Sequence, residues 1–356
     1  MLRALLHAKR SGLSDNTEPD QLSLARARAT GRAVIDAVNN RDAAIAAKGL
    51  DPRFALPDSN WRDDSANDYI AAYKMLRSLE WSEIKYLRLR TQIYSGYSLL
   101  YMTHASGGRN TDPVPSNFDE RIPRFPPPQL LVQWLGTTMG LPEKYVYKPK
   151  PMLGEVGWWV DGVLLNYDTV RYQERVTLLY HGGMMKKLQR RNRVRILEIG
   201  GGYGALASAI LSIFPSCEYW ICDLPESLLF SALNLSLTQP ASVNVYDEAG
   251  GDDPGVVLLP NYRFPEIVAG AGRSFDLVIN TLSFAEMSEH QITQYASGIA
   301  RLIGRSGVLF EQNQDNSSVG MVDCKQIIAR HLHGRSTIAG VAFRPTTGVA
   351  DVWWNV

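Results

Sequence analysis

The sequence predicts a doubly wound α/β protein, a mostly parallel sheet with an antiparallel last strand, preceded by a mainly helical N-terminal region. Three observations carry that expectation. From Arg193 onward, short apolar runs alternate with helix-patterned segments, as in a sheet covered on both faces. A glycine-rich turn, Gly200-Gly201-Gly202-Tyr203-Gly204, joins the first such run to the first such helix. Between Trp61 and about Met102, apolar residues instead recur at spacings near three and four.

Taken in order, residues 1–60 mix Arg, Ala, Asp and Asn. They hold one modest Ala-rich helix ending at Gly49, in a segment expected to be mobile or packed against a partner. Tyr69, Tyr73, Leu76, Leu79, Ile84, Leu87, Ile93, Tyr97 and Leu100 mark the helical stretch that follows. Residues 104–128 break it with Gly, Pro and Asn, predicting a long loop of the lid or binding kind. QLLVQWLGTTMG is a short helix, and GWWVDGVLLN a hairpin turning at Asp161-Gly162. Asp168 is expected to cap the next helix, whose basic tail suits a helix C-terminus.

VRILEIGG is then a buried strand, YGALASAILSIF a helix ending before Pro215, and EYWICDLP a second strand. ESLLFSALNLSL is helical, SVNVYD a third strand, FDLVINT a fourth, HQITQYASGIARLI a helix and GVLFEQN a fifth strand. STIAGVAF and GVADVWWNV supply two more. The expected divisions are 1–60, a front segment; 61–185, a helical acceptor-binding and dimerisation region; and 186–356, the cofactor-binding domain.

With 356 residues, two cores can be buried. The 37 Lys+Arg and 36 Asp+Glu nearly cancel. That balance argues against nucleic acid or an anionic membrane as the main partner. The six basic residues between Lys186 and Arg195 read as a helix end and solvated linker. Three scattered cysteines predict reduced thiols in a cytoplasmic protein. No apolar run reaches membrane-helix length, and MLRALLHAKR has no secretory pattern.

A glycine loop between strand and helix lets a ligand approach the backbone, and the helix amides beyond it favour an anionic group. Gly200-x-Gly202-x-x-Ala205 formally satisfies a dinucleotide fingerprint. The fuller pattern, Glu198-x-Gly200-x-Gly202-x-Gly204, resembles the first motif of class I S-adenosylmethionine-dependent methyltransferases, a Rossmann-like family. The resemblance implies that Glu198, Gly200, Gly201, Gly202, Tyr203 and Gly204 surround the methionine part of S-adenosyl-L-methionine. It also implies that Asp223, with Leu224 beside it, holds the ribose hydroxyls. VDGVLLNYDTVRY, ILEIGGGYG, CDLPE and VINTLSFAEM together resemble the sugar O-methyltransferases of natural-product and glycan pathways, over roughly residues 150–320. That likeness implies methyl transfer to a hydroxyl of a sugar or glycosylated natural product.

Methyl transfer needs an in-line nucleophile and a sink for its proton. Ser288-x-x-Gln291 is a capping-box pattern that puts His290 in the first turn of a helix, where the positive potential keeps imidazole neutral. Residues 287–290, MSEH, resemble a tryptophan-serine-aspartate-glutamate-histidine run of plant small-molecule O-methyltransferases, with Met287 for tryptophan and one acid fewer. That resemblance implies His290 as the general base. Glu286 is the second candidate, as base, sugar ligand, histidine partner or metal ligand. Asn280 ends the fourth strand, where its amide could meet the cofactor. Glu311, Asn313 and Asp315 are spaced for a metal or polyol but read more simply as a solvated loop. Arg171 and His181 read as surface and helix-end residues, and Tyr94, Tyr97, Tyr101 and His104 as a mostly core stripe.

Other activities fit less of the pattern. A C- or N-methyltransferase acting on an isoprenoid diphosphate would need magnesium and the Arg-rich loop RNTDPVPSNFDERIPR. A nicotinamide oxidoreductase and a non-catalytic scaffold are the remaining readings. A small-molecule acceptor and a homo-oligomer complete the expectation.

Overall fold

The computed structural model describes residues 9–10, 18–57, 68–94, 128–136, 140–247, 254–270, 272–315, 322–338 and 349–356. Of the loop expected over 104–128 only Pro128 is described, as the first residue of a helix; Tyr97, Leu100, Tyr101 and His104 lie outside the described residues, as does the side chain of Tyr94.

A two-residue strand, β1 (Lys9–Arg10), precedes α1 (Gln21–Asn39), whose N-cap Asp20 accepts the Ser23 N–H at 2.9 Å. α2 (Arg41–Lys48) ends at Gly49 with φ 60°, as the sequence predicts, although Asn40 divides the expected helix in two. α3 (Pro52–Ala55), α4 (Asp68–Leu76), α5 (Trp81–Ile84), α6 (Leu87–Tyr94) and α7 (Pro128–Gly136) follow. β2 (Trp158–Val160) and β3 (Val163–Leu165) form the expected hairpin, with φ 48° at Asp161 and 76° at Gly162.

α8 (Tyr167–His181) is capped by Asn166, not Asp168. The Asn166 side chain accepts the Thr169 N–H and the Thr169 hydroxyl accepts the Asn166 N–H, each at 2.9 Å. Asp168 is buried instead, drawn inward by Arg88 at 3.1 Å. α9 (Met184–Leu188) follows the break at Gly182-Gly183.

The main sheet comprises β4 (Arg195–Ile199), β5 (Glu218–Asp223), β6 (Val243–Val245), β7 (Gly255–Pro260), β8 (Leu277–Thr281), β9 (Val308–Gln312), β10 (Gly334–Thr337) and β11 (Ala350–Trp354). Between these strands lie α10 (Ala205–Ile213), α11 (Pro225–Thr238), α12 (Phe264–Ala269), α13 (Glu289–Leu302) and α14 (Cys324–Ile328). The spatial order is β10-β11-β9-β8-β4-β5-β7-β6. β4 through β9 are parallel where they pair, and β11 runs antiparallel to both its neighbours.

β7 corrects the sequence expectation, which passed directly from SVNVYD to FDLVINT. GVVLLP is a short run without alternation that ends in proline. It pairs with β5 along its whole length and displaces β6 to the sheet edge. From β4 the chain builds first toward β5 and then back to β8 on the other side. That reversal opens a crevice at the strands' carboxyl ends, where ligands of such sheets bind.

One apolar cluster joins Ile196, Ile221, Leu229 and Leu233 to Leu24, Ala27, Val34, Leu76 and Leu87 of the front segments. α1 lies close on α11 because Gly31 has no side chain; a Cβ there would sit 2.7 Å from Leu79 and 3.4 Å from Leu233. The opposite face buries Leu197, Trp220, Phe264, Tyr295 and Trp353, and Phe54 reaches around to join it. Leu24, Ala27, Val34, Phe54 and Ala55 of the front segment are therefore packed on the protein's own core.

Candidate active site

The loop after β4 has φ of 78° at Gly200, 55° at Gly202 and 82° at Gly204, a conformation that strongly favours glycine. Gly200 donates its N–H to Cys222 O at 2.8 Å. A methyl at Gly200 would fall 2.3 Å from Ser283 Oγ, whereas at Gly202 nothing lies within 4 Å. The backbone at Gly202 thus borders open space.

Gly202 donates its N–H to Asp223 Oδ2 at 3.0 Å, tying the loop to the end of β5. Asp223 also accepts the Leu224 N–H at 2.7 Å and the Ser227 hydroxyl at 3.1 Å. A carboxylate offers about four acceptor directions, so about one is left for a ligand. Burial pushes the Asp223 carboxyl up to about 6 against those hydrogen bonds. Glu198 lies beneath the loop, buried, with Tyr219 donating its hydroxyl at 2.8 Å; burial raises this carboxyl to about 7.

Tyr203 carries the loop's one side chain, and it is gripped from outside the sheet. The Arg88 guanidinium lies 3.7 Å from its ring centroid, and Tyr172 meets it edge-on at 5.7 Å. Arg88 is itself buried and paired with Glu155 at 3.0 Å and Asp168 at 3.1 Å. Asn234 donates to Tyr203 O and Ser231 to Gly202 O, completing the loop's support.

Asn261, which the sequence analysis passed over, follows Pro260, the residue paired with Asp223 across β5 and β7. Its Nδ2 donates to Phe54 O at 3.3 Å and Ala55 O at 3.2 Å. Two carbonyl partners fix the amide's orientation, and the buried Oδ1 has no donor among the described residues. It could accept an N–H from a nucleobase amine. The only sequence signal was a Pro-Asn pair closing an apolar run.

At the end of β8, Asn280 is wholly buried and committed within the protein. It donates to Ile199 O at 3.1 Å and Ser283 Oγ at 2.5 Å. Its Oδ1 accepts from Phe284 N at 3.3 Å and Asn313 Nδ2 at 2.9 Å. Asn280 therefore braces the crevice floor. Leu282, next but one, holds φ 68°, rare for a branched side chain and characteristic of functional turns.

That turn presents Glu286. Its side chain is exposed to solvent at the end of the turn. Desolvation by the surrounding protein, then repulsion from Asp223, raise the carboxyl to about 7. Among the described residues it has no hydrogen-bond partner. His290 stands in the first turn of α13, behind the predicted Ser288–Gln291 capping box. Its Nε2 lies 3.0 Å from Asp51 of the front segment, without hydrogen-bond alignment.

The remaining candidates fall elsewhere. Arg171 is buried, not at the surface; it pairs with Glu174 at 2.5 Å, and Glu174 accepts from Gln312 at 3.0 Å. Glu311 and Asn313 are buried too, correcting the solvated-loop expectation. Glu311 lies 3.2 Å from Lys325, which also holds Asp351 at 2.7 Å, while Asp315 is exposed. His181 is exposed at a helix end. Among the described residues no three His, Cys, Asp or Glu are grouped to hold a metal, and no helix is long and apolar enough to cross a membrane.

A sheet doubly wound about β4, a glycine loop after β4, an acid closing β5 and an antiparallel β11 beside β9 give the Rossmann-like α/β architecture that the sequence predicts. A family profile described as an O-methyltransferase domain matches residues 170–251, which hold the glycine loop and Asp223. No curated protein sequence matches the chain. Among solved structures, the chain is similar to the S-adenosylmethionine-dependent methyltransferase SibL in its apo form. That match has 14% identity and a TM-score of 0.34, over 53% of this chain and 59% of that one. A spermidine synthase from Thermotoga maritima matches at 15% identity and a TM-score of 0.33, over 56% and 64%. The N-methyltransferase NodS from Bradyrhizobium japonicum WM9, in complex with S-adenosyl-L-homocysteine, matches at 13% and 0.33, over 51% and 85%. The chain thus spans less than two thirds of the first two structures.

Proposed function

We propose that the protein is an S-adenosylmethionine-dependent methyltransferase acting on a hydroxyl of a small molecule. The acceptor class implied by the sequence resemblance is a sugar or glycosylated natural product. The observation that carries the reading is the hydrogen bond between Gly202 and Asp223 at the switch point, which joins the loop and the strand-end acid into one cradle.

The residues fit the cofactor. Gly202 faces space that a side chain would fill, and Asn261 Oδ1 offers an acceptor suited to an adenine amine. Asp223 keeps an acceptor direction for a ribose hydroxyl, and Ser227 is the donor such a hydroxyl can displace. Glu198, Asp223 and Glu286 give the crevice acids that suit a sulfonium cation and oppose a dinucleotide's pyrophosphate. When bound, the cofactor supplies an electrophilic methyl carbon. Arg88 and Tyr172 hold Tyr203 and with it the loop; Asn280 and Ser283 hold the turn that aims Glu286. Glu286, raised toward neutrality, accepts the proton of the acceptor hydroxyl.

Isothermal titration calorimetry tests this directly. Wild-type protein is expected to bind S-adenosylmethionine and not NADH. Asp223→Ala should weaken that binding by roughly 10- to 100-fold, the size of a hydrogen bond to a charged group. No heat from wild type, or equal affinity in the variant, refutes the assignment.

A further inference from the structure

The front segment of the chain fastens to the start of three connections at the carboxyl edge of the sheet, those after β5, β7 and β8. After β5, Arg41 grips Glu226 through both guanidinium nitrogens at 2.9 and 3.0 Å, three residues beyond Asp223. After β7, Tyr262 donates its hydroxyl to Ala37 O at 3.0 Å, Lys48 pairs with Glu266 at 2.7 Å, and Asn261 holds the carbonyls of Phe54 and Ala55. After β8, Gln291 donates to Leu56 O at 3.1 Å and His290 meets Asp51. The Phe54 ring seats the segment among aromatics, 4.9 Å from Tyr295 and 6.1 Å from Phe264.

Asn261 is the pivot of this arrangement. A carboxamide can present either end to a ligand, and here the two strap carbonyls demand its nitrogen. That demand leaves the oxygen, itself buried, as the end without a donor among the described residues. Were the strap to lift, the amide would lose both partners and the acceptor would lose its orientation.

We infer that residues 41–57 form a clasp over the nucleoside end of the crevice. Phe54 is its positioning residue: its seating holds the Asn261 oxygen toward the cofactor, so cofactor binding and strap seating stabilise each other. The inference rests on the cofactor assignment above. Reciprocity is required by linkage: whatever the strap adds to cofactor affinity, the cofactor adds to strap seating.

Two measurements on the full-length protein test it. In hydrogen exchange, saturating S-adenosylhomocysteine should slow the amides of residues 51–57 roughly fivefold or more. In titrations, Phe54→Ala should weaken S-adenosylmethionine binding roughly tenfold, with turnover at saturating cofactor nearly unchanged and Phe54→Tyr restoring affinity. In an Asn261→Ala background, the Phe54→Ala effect should largely vanish, because both act through one amide. Additive effects of the two substitutions would overturn the clasp. So would wild-type protein that binds the cofactor product with exchange at 51–57 unchanged, a result that leaves the cofactor assignment standing. Wild-type protein that binds neither compound overturns both.

Discussion

Glu198→Gln should stabilise the protein at alkaline pH while weakening its grip on the cofactor. The wild-type carboxyl is 2% exposed and titrates near 7 in the fold, against 4.5 for an ordinary glutamate, chiefly because burial disfavours its charge. A group raised in this way binds its proton more tightly when folded. Its contribution is therefore fully present below about pH 4.5 and is lost as pH rises through 7. At about 1.4 kcal/mol per pH unit, the loss amounts to about 3 kcal/mol. Glutamine keeps an acceptor for the Tyr219 hydroxyl and has no charge to bury. Any fixed cost of the amide is the same at every pH, so the informative quantity is a difference of differences. Urea denaturation of the cofactor-free proteins at pH 5 and pH 8.5 should show the variant gaining about 2–3 kcal/mol on wild type between the two. Asp223 and Glu286 titrate in the same range, but they are present in both proteins. A stability difference that does not change with pH would refute the claim that Glu198 is a desolvated acid held for a ligand.

Turnover should rise with pH through about 7 in wild type, as Glu286 loses its proton and becomes able to accept one. Glu286→Gln should lower kcat roughly 10²- to 10⁴-fold and flatten that rise in a pH–rate profile. Gly200→Ala forces a methyl to 2.3 Å from Ser283 Oγ at φ 78°. Urea denaturation should show a loss of about 2–5 kcal/mol, from the left-handed backbone and the overlap together. Arg88→Ala leaves Glu155 and Asp168 buried without their cation, and about 3–5 kcal/mol of stability should disappear in the same assay.

What could be read along the chain was whatever rests on neighbours in sequence. The glycine loop, the Asp161-Gly162 hairpin turn, the Gly49 helix stop and the Ser288–Gln291 cap depend on φ angles or on bonds spanning three residues. Asp168 fails as a cap because a buried arginine 80 residues away outbids the local role. Asn166, two residues earlier, has the same capping chemistry and no such rival. β7 escaped because a short uniform apolar run has no period to recognise. Asn261 carries meaning only once Phe54 and Ala55, more than 200 positions upstream, are placed against it. His290 and Glu286 are four residues apart, and no local rule says which one faces the crevice. The 3₁₀ turn at Ser283–Glu286 and the approach of Asp51 to His290 are set by the fold, not by neighbours in sequence.

The fastening of the first helices onto the last third of the sheet has a consequence for biosynthesis. Partners such as Ala37 and Tyr262, or Leu56 and Gln291, are separated by 225 and 235 residues. The ribosome therefore releases Leu24, Ala27 and Val34 long before the surface that shelters them exists. Closing loops of that length is slow, and apolar stripes exposed meanwhile invite aggregation or chaperone capture.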